Sequence, residues 1–258
     1  IKGGAFNLCN KITTLNFPNS LMKIEGGAFG SCSQLTTINI PQSLLQIDSN
    51  CFQSCSQLTE IMIPPSVHKL CPNSFDNCPN LAKLTIDPYQ TTICENCFTN
   101  CHSLKIFVFS STVKTIEQFQ SDLFPRLKEI IIPDSVTLIN ENAFDSCSSL
   151  EKVTIPNTIR TIMIGTFKKC QNLCHIVIDP YETIFNESTF RGLNKLTHLT
   201  FYKSVTYTRE FESKYFPKIT EITVPDSVVS IGSRSFLGRT TLEKVNLPNS
   251  IASIEYES

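Results

Sequence analysis

Ile130-Ile131-Ile132-Pro133-Asp134-Ser135-Val136 is the stretch that decides the fold of this 258-residue chain, because versions of it return every 23 residues. Eleven positions keep this phase without a net slip. Proline occupies seven of them and other residues occupy four, in the order Pro18, Pro41, Pro64, Asp87, Ser110, Pro133, Pro156, Asp179, Tyr202, Pro225 and Pro248. A fixed period of this length is typical of a solenoid, in which one short repeat is stacked many times.

The apolar residues of each repeat predict a short strand. In residues 130–132 the first and third isoleucines would point to one side and the second to the other, because side chains alternate across a strand. Proline then ends the strand, since it has no N–H to donate. Val136 and Ile139 predict a second short strand, and Phe144 enters the core from the returning segment. Stacked repeats would pair equivalent strands in parallel, about 4.8 Å apart.

The pattern resembles the 23-residue leucine-rich repeats of BspA-like (Treponema pallidum-type) surface proteins, which residues 130–136, 142–144, Cys147 and Leu150 match. The resemblance implies an α/β solenoid that tends to mostly β. It would be a right-handed superhelix with a parallel sheet on its concave face and few or no regular α-helices. We expect a single domain over residues 1–258 with about eleven repeats. Because both ends fall in mid-repeat, we also expect a fragment of a longer array.

Two stretches depart from the repeat in the same way, 92 residues apart. Ile-Asp-Pro-Tyr occurs at 86–89 and again at 178–181. In the repeat that follows each of them, the core phenylalanine comes two residues early, at Phe119 and Phe211, and Phe-Pro replaces the usual cysteine. We predict that the returning segment changes conformation at these two irregular repeats while the strands continue undisturbed.

Twelve cysteines raise the question of redox or metal chemistry. Seven share one column whose other occupants are mainly large and apolar, which favours packing of unpaired thiols: Cys9, Cys32, Cys55, Cys78, Cys101, Cys147 and Cys170. Pairs with metal-like spacing combine different columns, whose side chains should point apart, so no metal site is predicted. Cys71 and Cys94 share another column on adjacent repeats, within disulfide reach. A bridge between them would indicate an oxidising compartment, whereas twelve free thiols would leave the cytosol open.

The outward residues of the first strands are mostly Thr, Asn, Lys and Glu, as on an ordinary solvated sheet face. Seven departures are candidate partner-binding residues: Met62, Ile106, Val108, Ile131, Val177, His175 and His198. Three of them lie on adjacent strands and predict a compact apolar patch, namely Ile106, Val108 and Ile131. Such a patch either recognises a partner or is covered by a loop or by lateral packing. No carboxylate shares the outward slots of the two histidine repeats, so we expect ligand-free surface histidines with modest pH sensitivity.

The composition and the absence of known catalytic motifs argue against several classes of function. With 22 basic and 23 acidic residues there is no general electrostatic reason to bind nucleic acid or a membrane. Neither G-x-S-x-G, H-E-x-x-H nor a glycine-rich phosphate loop is present, so we expect neither an enzyme nor a cofactor. The only glycosylation sequon is Asn186-Glu187-Ser188.

The resemblance, in turn, implies a surface antigen or adhesion protein, displayed on the cell surface or secreted. It would bind a protein or a glycan through the concave sheet face. The alternative is a cytoplasmic leucine-rich-repeat scaffold that assembles a protein complex.

Overall fold

The strands that the repeat predicts are present along the chain. The computed structural model describes residues 1–185, 189–190, 192–211 and 213–255, and within these ranges the chain forms a solenoid of short parallel strands without an α-helix. The solenoid and its mostly β character are therefore confirmed. Contacts between Cα atoms divide the chain into two compact units, Ile1–Val113 and Lys114–Ser258, which we call the N-terminal unit and the C-terminal unit.

In the N-terminal unit the repeats contribute first strands of three or four residues and second strands of two residues. In chain order these are β1 (Thr14–Asn16), β2 (Thr37–Asn39), β3 (Gln46–Ile47), β4 (Glu60–Met62), β5 (Lys69–Leu70), β6 (Lys83–Ile86), β7 (Thr92–Ile93) and β8 (Ile106–Phe109). β1 pairs with β2, and β6 pairs with both β4 and β8. The second strands β3, β5 and β7 form a sheet of their own.

The C-terminal unit repeats this arrangement. Its strands are β9 (Thr115–Ile116), β10 (Glu129–Ile131), β11 (Leu138–Ile139), β12 (Lys152–Thr154), β13 (Thr161–Ile162), β14 (His175–Ile178), β15 (Ile184–Phe185), β16 (His198–Phe201), β17 (Tyr207–Thr208), β18 (Glu221–Thr223), β19 (Ser230–Ile231), β20 (Lys244–Asn246) and β21 (Ser253–Ile254). The first strands β10, β12, β14, β16, β18 and β20 pair in parallel in that order. The second strands pair as β9–β11, β13–β15 and β17–β19–β21. Paired residues lie 23 positions apart, so one repeat is one turn.

The core consists of apolar columns stacked in register. Between the first and the last repeat, the inward residues of the first strands are buried, as Ile130 and Ile132 show with 0% and 1% exposure. Phenylalanines of the returning segment stack with ring centroids 5.1 to 5.7 Å apart in the N-terminal unit, in the order Phe6, Phe29, Phe52, Phe75 and Phe98. A second stack joins Phe144, Phe167 and Phe190. This offset stacking adds to the stabilisation that burial of the rings provides.

The returning segment has two left-handed backbone positions per repeat, four residues apart. In the N-terminal unit the first position is held by Gly4, Gly27, Asn50, Asn73 and Asn96, and the second by Leu8, Ser31, Ser54, Asn77 and Asn100. Glycine and asparagine tolerate this region best, because Cβ strain is absent in glycine and the asparagine side chain bonds locally. The column of glycine and asparagine therefore marks the turn in the sequence itself.

The two irregular repeats change conformation as predicted. In each of these two repeats a 3-10 helix replaces the turns that the other repeats have: η1 (Ser121–Leu123) in the first and η2 (Ser213–Tyr215) in the second. The early phenylalanines, Phe119 and Phe211, are buried. Beside the second irregular repeat the ladder is continuous, since β16 pairs with both β14 and β18.

The two Asp-Pro-Tyr turns share one hydrogen-bonding arrangement. The Asp87 Oδ1 accepts the Tyr89 N–H (3.0 Å) and its Oδ2 accepts the Thr112 hydroxyl (2.7 Å). The Asp179 Oδ1 likewise accepts the Tyr181 N–H (3.1 Å), and its Oδ2 accepts the Ser204 hydroxyl (2.7 Å). Both carboxylates are nearly inaccessible to solvent, and each accepts one hydrogen bond from its own turn and one from the next repeat. The two turns, 92 residues apart, therefore match in their contacts as well as in their sequence.

The cysteine column packs inside the solenoid, as predicted. Six of its seven members are buried and Cys9 is half-buried. Five thiols donate to the carbonyl oxygen of a phenylalanine 26 residues earlier, at 3.1 to 3.5 Å: Cys32, Cys55, Cys78, Cys101 and Cys170. Burial raises the pKa of Cys55 to about 12. Cys71 and Cys94 are free thiols in the structure, one residue beyond the paired Leu70 and Ile93, and a disulfide between them stays a prediction.

Candidate binding surface on the first strands

Six side chains form a row across the outward side of the C-terminal unit, one from each first strand. We call Glu129, Lys152, His175, His198, Glu221 and Lys244 the charged row. Lys152 lies 2.8 Å from Glu129, and Lys244 lies 3.0 Å from Glu221. These ion pairs hold both ends of the row, and the two histidines occupy its centre.

Each histidine of the charged row is held by neighbouring side chains. The ring centroids are 6.1 Å apart. The His175 Nε2 lies 2.8 Å from the Thr200 hydroxyl oxygen. The His198 Nε2 lies 3.3 Å from Glu221 Oε2, and its Nδ1 lies 2.8 Å from the Thr197 hydroxyl oxygen. Glu221 was not among the predicted site residues, because it lies one strand beyond the two histidine repeats. The 23-residue register already placed this carboxylate one strand further on.

The pKa of His175 is shifted by partial burial and by its neighbours in the charged row. Partial burial lowers the pKa of His175, and the positive charges of Lys152 and His198 lower it further. Glu129 and Glu221 oppose this effect. Within the described ranges, no group of three or more His, Cys, Asp or Glu side chains is arranged to hold a metal ion.

A second outward column runs beside the charged row. It is half-buried and mostly uncharged, and it holds Ile131, Thr154, Val177, Thr200, Thr223 and Asn246. The candidates Ile131 and Val177 lie two strands apart, with Thr154 paired to both. The C-terminal unit therefore presents an aliphatic and threonine column next to the charged row.

The remaining candidates lie in the N-terminal unit. Met62 on β4 is 64% exposed, whereas Ile106 and Val108 on β8 are half-buried. Thr85 is in register with both Met62 and Val108. The predicted patch of Ile106, Val108 and Ile131 has members in both compact units, and its contiguity stays a prediction.

One edge of the surface in the C-terminal unit is fixed by a long side-chain bridge. The Tyr202 hydroxyl donates to Asp134 Oδ1 at 2.6 Å, and the Lys203 Nζ donates to Asp134 Oδ2 at 3.2 Å. The Tyr202 hydrogen bond, followed by that of Lys203, lowers the pKa of Asp134. The bridge therefore joins the residues that follow β10 to those that follow β16.

No helix in the described part of the chain has both the length and the apolar character needed to cross a membrane. The sequon Asn186-Glu187-Ser188 lies outside the described residues.

A family model for the BspA-type leucine-rich repeat region matches six copies over residues 1–124, 119–212 and 209–258. The chain belongs to the BspA-type leucine-rich repeat family. This finding confirms the resemblance that the 23-residue pattern predicted. Among curated proteins, none matches the sequence significantly.

Solved structures include several proteins similar to this BspA-type chain. A leucine-rich repeat protein from Bacteroides ovatus is 26% identical, with 98% of this chain and 77% of that chain covered and a TM-score of 0.34. The leucine-rich repeat protein of T. pallidum is 20% identical, with 76% and 75% covered and a TM-score of 0.33. Toll, in the Drosophila Toll–Spatzle complex, is 12% identical, with 96% and 38% covered, and its TM-score of 0.52 indicates a shared fold.

Proposed function

We propose that this BspA-type chain is a non-enzymatic recognition scaffold that binds a protein through the first strands of its C-terminal unit. The charged row carries the proposal. Ion pairs and hydroxyl contacts already hold its side chains in place, so a partner would order few of them on binding. Preorganisation of this kind reduces the entropic cost of association. The adjoining column of Ile131 and Val177 supplies apolar area for the contact.

The charged row and the column beside it are smaller than a stable protein interface. Six strands at about 4.8 Å spacing and three residues of about 3.3 Å each give a face of roughly 24 by 10 Å. A stable protein interface buries about 800 Å² on each side, which is more than this face offers. A protein partner must therefore also cover flanking residues such as Asp134 and Lys203.

We further propose that the protein is displayed on a cell surface or secreted, in an adhesion or antigen role. Membership of the BspA-type family supports this placement. A cytoplasmic scaffold is the second candidate, and the observation that favours it is the thiol column, whose six buried members pack as unpaired side chains. Counting thiols under denaturing, non-reducing conditions, in protein isolated from its own cells, separates the two. Twelve free thiols favour the cytoplasm, and ten with Cys71 joined to Cys94 favour the surface.

Capture experiments with matched variants test the binding surface. We expect the immobilised chain to retain proteins from an extracellular-matrix panel, and Val177→Lys with Ile131→Lys to remove that capture. Thr161→Lys, on the exposed side of second strand β13, adds a positive charge elsewhere in the same unit and should leave capture unchanged. Unchanged capture by the double variant, with an unaltered melting temperature, would contradict the proposal.

A further inference from the structure

A cavity of about 480 Å³ opens on the C-terminal unit beside the second irregular repeat. Its floor is formed by Phe185, Phe211 and Phe216, all of them buried, and Tyr181 and Ile184 also line it. None of its lining residues belongs to the charged row or to the column beside it. The volume lies in the range of small-ligand sites. We call this cavity the aromatic pocket.

The rings of the aromatic pocket meet edge to face. Phe211 lies 5.9 Å from Tyr181 at an interplanar angle of 90°, and Phe185 lies 5.4 Å from Phe216 at 80°. Aromatic rings prefer this arrangement, because the positive edge of one ring contacts the negative face of another. Because the lining exposes both ring edges and ring faces, a further aromatic ring can pack against it in the same way.

Cations surround the aromatic pocket. The exposed Arg209 guanidinium lies 5.3 Å from the centre of the Tyr181 ring, and the Lys214 Nζ lies 5.1 Å from the centre of the Tyr215 ring. Behind the floor, the Arg239 guanidinium lies 3.7 Å from the centre of the Phe211 ring. The lining contains one carboxylate, Glu210. The charged members of the lining itself, Arg209 and Glu210, are therefore balanced, and the excess positive charge comes from Lys214 and Arg239 beside the pocket.

Two acids near the pocket already have partners within the chain. Asp179 accepts the Ser204 hydroxyl and the Tyr181 N–H. Glu182 is paired with Arg160 on the preceding repeat. Asp179 is thus satisfied by two neutral donors, one of them from the pocket-lining Tyr181, and Glu182 is neutralised by Arg160.

Arg239 adds a partly buried positive charge behind the floor of the pocket. It occupies the column that cysteine fills in most repeats, and its Nη2 donates to the Phe211 carbonyl oxygen at 2.8 Å. Its Nε and Nη1 are buried and lack an acceptor among the described residues. Burial also lowers the pKa of Arg239 to about 10. A buried cation with unmet N–H groups is stabilised by negative charge close to it.

We propose that the aromatic pocket binds an aromatic side chain of a partner polypeptide whose next residue is acidic. The ring would enter between Tyr181 and the phenylalanine floor, and the carboxylate would pair with Arg209. A polypeptide suits this site better than a free aromatic acid, because the apolar surface continues past the mouth. Ile184 is 67% exposed, and Tyr207, one repeat further along the second strands, is 44% exposed. This site is separate from the charged row, so either proposal can fail alone.

The chain contains no tryptophan, so the fluorescence of a tryptophan-containing probe can be measured without a tryptophan background from the protein. The probes are the blocked dipeptides N-acetyl-Trp-Asp-amide and N-acetyl-Trp-Asn-amide, together with N-acetyltryptophan. We expect the Asp dipeptide to bind about threefold to fivefold more tightly than the Asn dipeptide, as one exposed ion pair allows. The Arg209→Gln variant should abolish that difference. N-acetyltryptophan should bind more weakly than the Asp dipeptide.

Two glutamate variants on the same outward column of the second strands locate the site. Ile184→Glu should weaken binding of the Asp dipeptide by about tenfold or more, because it adds a like charge at the mouth and removes apolar area. Leu138→Glu, two repeats earlier on β11, makes the same change away from the pocket and should leave binding intact. Absence of probe binding, equal losses in both variants, or equal affinity for N-acetyltryptophan would each overturn the proposal. Retained melting temperatures confirm that each variant folds.

Discussion

The Tyr202 hydroxyl lies 2.6 Å from the Asp134 carboxylate, although the two residues are 68 positions apart and most side-chain hydrogen bonds between repeats of the described chain join adjacent turns. Tyr202 stands where most repeats have proline. The side chain that replaces the proline therefore links three turns of the C-terminal unit.

Removing the Tyr202 hydroxyl tests this link. We expect Tyr202→Phe to lower the free energy of unfolding by about 1 kcal/mol, below the usual value for a charged hydrogen bond because Asp134 is half exposed. Tyr207→Phe is the matched control, since its hydroxyl makes a longer 3.2 Å bond to Glu255 and should matter less. Urea unfolding measures both effects. Equal losses in the two variants would contradict the prediction.

The same link makes stability depend on pH in the acidic range. The pKa of Asp134 is lowered in the folded chain, so its contribution is complete above the unfolded value near 4 and is lost as the pH falls through the folded-state pKa. Wild type should therefore lose more stability than Tyr202→Phe between pH 5 and pH 3. Urea midpoints across this interval measure the difference, and parallel pH profiles would argue against it.

His175 gives a second pH dependence, at higher pH. Its folded-state pKa lies below the unfolded value of 6.5, so its contribution is complete well above that value and is lost as the pH falls through the folded-state pKa. We expect His175→Gln to reduce the stability lost between pH 7.5 and pH 5 by no more than about 0.5 kcal/mol, since solvent screens a half-exposed ring. Exposed His102→Gln serves as the control and should follow wild type. A steeper loss in His175→Gln would show the sign to be wrong.

The phenylalanine stack allows a comparison within one column. Phe52 is fully buried between Phe29 and Phe75, whereas Phe6 is 40% exposed. Phe52→Ala should cost about 3 to 5 kcal/mol because it leaves a cavity, and Phe6→Ala should cost about 1 kcal/mol. Thermal and urea unfolding give both values. Similar costs would mean that stacking, not burial, dominates this column.

Thiol reactivity should separate the cysteines by exposure. In the folded chain, iodoacetamide at pH 8 should label half-buried Cys9, Cys94 and Cys174 first, because they are more accessible than the remaining thiols. Cys55 should resist labelling, since burial raises its pKa to about 12 and thiolate is the reactive form. Mass spectrometry of labelled peptides, before and after denaturation, makes the comparison. Labelling of Cys55 as fast as Cys94 in the folded chain would contradict the packing interpretation.

The 23-residue period predicted the features that recur at the same position in every repeat, and it also showed where two repeats depart from them. Strand positions, inward columns, the thiol column and the irregular turns at Phe119 and Phe211 all follow from residues that share a slot across repeats. The same register also reaches neighbouring strands, and it would have located Glu221 beside His198.

Contacts that depend on side-chain length and direction could not be predicted in this way. Tyr202 reaches across three repeats, a distance that no column alignment contains. Arg239 turns its guanidinium onto Phe211, whereas its column suggested a small or apolar packing residue. The aromatic pocket forms where one repeat has a 3-10 helix in place of the usual turn. Its volume depends on the orientations of the surrounding rings, which the period does not determine.

The constant 23-residue pairing has a consequence for how such a chain can change its length. Removing or inserting a whole repeat returns every strand to an equivalent partner, whereas a single-residue insertion in a strand would reverse its inward and outward sides. Recombination between repeats can therefore lengthen or shorten the protein without creating an unfoldable intermediate. The two matching Asp-Pro-Tyr turns, 92 residues apart, are what one such event would leave behind.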